Sequence, residues 1–127
     1  MKKSANFLLA LIIVFLCGCS GSGTYRGHWK ATDSKGGKFE ITFEAKNLSV
    51  KDSAGDKSNF EYTQNSVSIE NSITTYGIQL GDGRKYLIHF PFANDESRAI
   101  IEDAGGNPIY IISRGEYTKY EDIYKLK

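Results

Sequence analysis

"YRGHWKATDSKGGKFEITFEA", residues 25–45, decides the fold. From Tyr25 to Thr32, Tyr25, Gly27, Trp29 and Ala31 fall on one face of an extended chain, and Arg26, His28, Lys30 and Thr32 on the other. From Lys38 to Ala45, Phe39, Ile41, Phe43 and Ala45 alternate with Glu40, Thr42 and Glu44. Closing the turn at residues 33–37 sets Trp29 against Ile41 and Gly27 against Phe43 on the apolar face. The same register sets Lys30 against Glu40 and Arg26 against Glu44 outside. A one-residue slip would reverse both faces, so the pairing is strongly specified. Phe43 is expected to lie over Gly27, an aromatic covering a strand glycine.

Working outward, the rest of the chain repeats this pattern. Turn-rich breaks at "DSAGDKS" (52–58), "QN" (64–65), "GDGRK" (81–85), "NDES" (94–97) and "DAGGNP" (103–108) separate short apolar-alternating segments. Breaks spaced about 8–12 residues apart read as an antiparallel all-β sandwich or barrel. Phe60 and Tyr62 are expected to face Val67 and Ile69 across a turn at Gln64-Asn65. Tyr76, Ile78 and Leu80 are expected to face Phe90, Ile88 and Tyr86. Consecutive hairpins favour an up-and-down barrel of about eight to nine strands, because closure removes exposed edges.

Gly27-His28-Trp29 resembles the G-x-W signature of lipocalin-like proteins. The resemblance implies that Trp29 closes one barrel end and that a basic residue of the last strands packs over it, for which Arg114 is the candidate. It also implies a carrier or sensor of a small apolar ligand. The interior aromatics Trp29, Phe39, Phe43, Phe60 and Tyr62 either line a pocket or fill the core.

The N-terminal residues address location. Lys2 and Lys3 precede an unbroken apolar run from Phe7 to Leu16, too short for a bilayer span of about 20 residues and suited to the core of a secretory signal peptide. Leu16-Cys17-Gly18-Cys19 resembles the bacterial lipobox. That resemblance implies cleavage after Gly18, lipidation of Cys19 and anchoring in the cell envelope. Ser20, where an inner-membrane retention signal would place Asp, points to the periplasmic face of the outer membrane. Residues 1–18 are then the signal peptide, 19–24 a lipid-anchored flexible linker reaching at most roughly 17 Å, and 25–127 the barrel domain. The mature chain would keep 109 residues (127 minus 18), and 14 basic side chains (16 without Lys2 and Lys3) against 15 acidic ones. No basic excess points to nucleic acid. With Cys17 removed and Cys19 acylated, neither a disulfide nor a zinc or redox pair can form.

Chemistry-bearing motifs are scarce. The chain lacks G-x-S-x-G, P-loop, G-x-G-x-x-G and H-E-x-x-H patterns, and "DSAGDKSN" does not match a calcium loop. His28 reads as a solvated strand residue. No enzyme activity, cofactor or metal is expected. Two segments, "YLIHFPF" (86–92) and "IYIIS" (109–113), are apolar on both faces and need an outer cover. The tail from Tyr117, with Tyr120, Ile123, Tyr124 and Leu126, could supply it as helix or strand. Alternatively Leu87, His89, Tyr110, Ile112, Tyr117, Tyr120 and Tyr124 form an interaction patch, tyrosine being enriched at interfaces. The expected function is a non-enzymatic binding module on the membrane for a periplasmic protein partner, of inhibitor or immunity type, with the small apolar ligand as the alternative.

Overall fold

The computed structural model describes residues 21–93 and 95–122; the signal-peptide segment, Cys19, Ile123, Tyr124 and Leu126 lie outside the described residues. Eight antiparallel strands follow one another around a closed barrel: β1 (Gly27–Asp33), β2 (Lys38–Phe43), β3 (Asn47–Asp52), β4 (Lys57–Glu70), β5 (Ile73–Leu80), β6 (Lys85–His89), β7 (Arg98–Asp103) and β8 (Pro108–Ser113). Closure comes from β1 against β8, with Ala31 opposite Ile112 and Thr32 opposite Ile111. A three-residue 3-10 helix, Tyr120–Asp122, is the one helical element among the described residues.

The first hairpin has the register that the alternation specifies, with Gly27 opposite Phe43, Trp29 opposite Ile41 and Lys30 opposite Glu40. Trp29, Ile41 and Phe43 are buried inside, while His28 is exposed and holds Thr42 Oγ1 at 2.9 Å. The apolar side of the barrel is therefore its interior, and Lys30, Glu40 and Lys51 stand on its outside.

Four hairpins close at one end of the barrel with the same device. In the turns after Asp33, Asp52, Leu80 and Asp103, the fourth residue is a glycine whose N–H donates back to the first residue's carbonyl. The first residue's N–H in turn donates to the carbonyl of the fifth. Gly36, Gly55, Gly83 and Gly106 all have positive φ, the requirement of a type I turn closed by a glycine bulge. Asp33, Asp52 and Asp103 also accept backbone N–H bonds inside their own turns. This loop end is thus built of short, internally bonded turns.

Two pairings differ from the sequence expectation. No turn forms at Gln64-Asn65; β4 runs unbroken from Lys57 to Glu70, which reduces nine candidate strands to eight. Asn65 is the extra residue of a bulge between Gln64 and Ser66, and the chain reverses at Asn71 and Ser72, both at positive φ. A type I′ hairpin needs positive φ at both central positions, and Asn is among the residues that adopt it most readily. Between β5 and β6, Tyr76 faces Ile88 and Ile78 faces Tyr86, a shift of two residues from the expected pairs. A two-residue shift keeps every side chain on its face, so the interior set is unchanged.

Candidate functional site

The interior divides into a filled end and a hollow end. At the filled end, Tyr25, Trp29, Phe43, Tyr62, Tyr76 and Phe90 pack ring against ring, with neighbouring centroids 5.1 to 6.5 Å apart. Trp29 is buried and its indole N–H donates to the Tyr25 carbonyl at 2.8 Å. The Arg114 guanidinium covers the indole at 3.8 Å from the ring centroid and donates to the carbonyls of His28 and Thr24. Partial burial draws the Arg114 pKa down from its ordinary value. The guanidinium still carries its charge at neutral pH. Burial raises the Tyr25 and Tyr62 hydroxyl pKa values.

Gly27 is tied to this arrangement, though not through Phe43. It has φ +101°, and a Cβ there would meet Arg114 Nη1 at 3.1 Å. The glycine makes room for the cation rather than being covered by an aromatic ring.

The hollow end lies on the other side of the aromatic layer, beneath the four bonded turns. A cavity of about 190 Å³ is walled by Ile41, Leu48, Val50, Ile78, Leu80 and Ile101, with Phe43 among its lining residues. Ser58 and Arg84, both exposed, mark its mouth. Arg84 lies 5.1 Å from the Phe60 ring centroid and 6.0 Å from that of Tyr86. Its Nε and Nη2 meet Asp82 at 2.9 Å, and Nη1 donates to the Tyr86 hydroxyl at 3.2 Å. The guanidinium has five N–H donors, so this set leaves capacity for an incoming anion. Tyr110, also lining the cavity, packs edge-on against Phe39, and burial together with nearby Asp33 raises its hydroxyl pKa.

The candidate residues are therefore sorted by the barrel. Trp29 and Arg114 meet; Phe43 and Tyr62 belong to the aromatic layer; Phe60 walls the cavity mouth and Phe39 stands beside it. The residues proposed for an interaction patch do not form one surface. Tyr110 and Ile112 point inward, because pairing with β1 puts Ile112 beside Ala31 in the core and leaves Ile111 outside. Ile111 and Ile100 form a separate outer cluster beneath Phe92 and Tyr120. Tyr120 donates to the Pro108 carbonyl at 3.0 Å, so the tail covers the outer face of β7 and β8. Tyr117 lies near Lys30 and Lys38, whose ammonium groups are 5.5 and 5.3 Å from its ring centroid. Leu87 and His89 are half-buried on β6, His89 Nδ1 being 2.8 Å from Thr75 Oγ1. Tyr124 lies outside the described residues.

The aliphatic walls and Arg84 were not among the candidate residues, since "GDGRK" reads only as a turn. Residues 21–24 also differ from the flexible linker expected there. Gly21 N–H donates to the Ala45 carbonyl at 2.7 Å, Ser22 N–H to Gln64 Oε1 at 3.1 Å, and the Arg26 side chain to the Gly21 carbonyl at 2.8 Å. Among the described residues no group of three His, Cys, Asp or Glu is placed to hold a metal ion.

A scan of family models gave no match to the chain, and searches of curated proteins and of solved structures found no significant similarity.

Proposed function

We propose that this chain is an envelope lipoprotein, anchored through Cys19, whose barrel binds the apolar arm of a small amphiphile. The cavity beneath the bonded turns is the observation that carries the binding reading. A dry apolar cavity of about 150 Å³ can hold a benzene ring, so about 190 Å³ suits one ring or a short alkyl chain. Pockets for drug-sized ligands begin at roughly 300 Å³. The ligand would therefore bury one arm and keep its head at the mouth, where Arg84 favours a carboxylate or another anionic group. A protein partner on the two-faced strands is less well supported, because Tyr110 and Ile112 face inward and Tyr120 packs as a cover.

The test is a methyl-resolved NMR titration with hexanoate as the probe. Shifts should concentrate at Ile41, Ile78, Leu80 and Ile101, with the Trp29 indole unmoved. Shifts confined to Val67 and Ile69, or none at all, would sink the proposal.

A further inference from the structure

Beyond the bulge at Gln64/Ser66, β4 loses its neighbour on one side, while β5 stays bonded to β6 as far as Thr74. β3 pairs with β4 only as far as Glu61, so residues 66–70 of β4 bond to β5 alone. The bulge changes which side chains share a face: Val67 stands opposite Tyr76 and Ile69 opposite Thr74, on the side that continues the barrel interior. There they are 54% and 69% exposed, the two large apolar side chains so placed among the described residues. Between Glu61 and Asp82 the chain carries one charged side chain, Glu70. This hairpin carries little charge and presents an apolar pair to solvent.

The chain enters the barrel at the same place. Ser22 N–H and the Tyr25 hydroxyl both bond Gln64 Oε1, and the Tyr76 hydroxyl bonds Thr24 Oγ1 at 3.1 Å. Val67 is thus next along the sheet from the residues that hold the N-terminal segment down. With Gly21 fastened to Ala45, only two residue steps separate Cys19 from a fixed point of the barrel. Two steps span at most about 7 Å. Val67 to Glu70 carries the strand on by about 3.3 Å per residue. A bilayer holding an acyl chain at Cys19 must then lie within reach of the hairpin.

We infer that the β4–β5 hairpin beyond the bulge is a membrane-docking element, seating Val67 and Ile69 in the headgroup region of the leaflet that holds the lipid on Cys19. This rests on the lipid-anchor reading above. The contact is interfacial rather than deep, because the outer edge of residues 66–70 carries backbone N–H and C=O groups that hydrocarbon cannot satisfy. Docking at this end directs the cavity mouth, at the opposite end of the barrel, away from the membrane.

The mature chain on this reading has no free thiol, so Val67→Cys, Ile69→Cys and Ala54→Cys each create a single labelling site; Ala54 lies in an exposed turn at the mouth end. The full-length variants, purified from membranes, are labelled with an environment-sensitive fluorophore and reconstituted into vesicles of brominated phosphatidylcholine. The labels at positions 67 and 69 should lose most of their emission and the label at 54 should keep it. Vesicles that float with the protein while all three labels stay bright, or dim equally, overturn the docking element but leave the anchor intact. Quenching that needs an added envelope protein overturns it in favour of a protein partner. Protein that fails to float, with an unmodified mass at Cys19, overturns both readings. Near-ultraviolet circular dichroism of Trp29 verifies that each variant is folded.

Discussion

The Arg114 guanidinium lies 3.8 Å from the centroid of the Trp29 ring and bonds the carbonyls of Thr24, in the entry segment, and His28, in β1. One side chain of the segment after β8 therefore joins the entry segment, the first strand and the plug. Arg114→Ala should destabilise the fold by about 2 kcal/mol, from the lost cation–π contact and two hydrogen bonds to carbonyls. Arg114→Lys should recover only part of this, since an ammonium cannot stack as a plane and reach both carbonyls. Urea denaturation followed by the fluorescence of Trp29, the chain's single tryptophan, measures both.

Gly27→Ala tests the same joint from the other side. A side chain at φ +101° is strained, and the added Cβ would sit 3.1 Å from Arg114 Nη1. The expected cost is about 1–3 kcal/mol. In the Arg114→Ala background the clash is gone and the strain remains, so the two losses should sum to more than the double variant shows.

Tyr120→Ala should uncover Ile100 and Ile111, which are fully buried beneath it. A loss of roughly 1–2 kcal/mol is expected, less than for a fully buried aromatic because Tyr120 is itself only partly buried. Amide hydrogen exchange should rise along β7 and β8 ahead of β2 and β3.

Stability should fall at both ends of the pH scale. Asp82 is held below its ordinary pKa by the Arg84 side chain, Asp95 by the Ser97 hydroxyl, and Asp103 by the Asn107 N–H. Each is lower in the folded state than in the unfolded chain, so its contribution is present above about pH 4 and is lost as pH falls further. Tyr25, Tyr62 and Tyr110 are raised, chiefly by burial, so their contribution is complete below about pH 10 and is lost as pH rises above it. Thermal melts across the pH range should show a plateau between these limits. A midpoint that keeps rising above pH 10 would contradict the burial of the tyrosines.

Sequence alone reaches the barrel because charge and hydropathy alternate together between Tyr25 and Ala45, leaving one register. It fails where that alternation stops. Residues 63–66, "TQNS", are all polar, so Gln64-Asn65 looks like a turn while the backbone runs on through a bulge. In "IYIIS" both faces are apolar, and only the pairing of Ile112 with Ala31 decides that Tyr110 points inward. The aromatic residues suggest the site but mostly fill the closed end. The cavity is left by aliphatic residues of β2, β3, β5 and β7, whose gap depends on packing between strands far apart in the chain.

The cavity is the central claim, and a calorimetric titration with straight-chain carboxylates of increasing length tests it most directly. Each added methylene buried in the cavity should tighten binding about fourfold, the equivalent of roughly 0.8 kcal/mol, until the cavity is full and the gain stops. Val50→Phe, which fills the cavity from its wall, should remove the binding while the Trp29 environment is preserved. Affinity that ignores chain length, or that survives Val50→Phe unchanged, would contradict a ligand site inside the barrel.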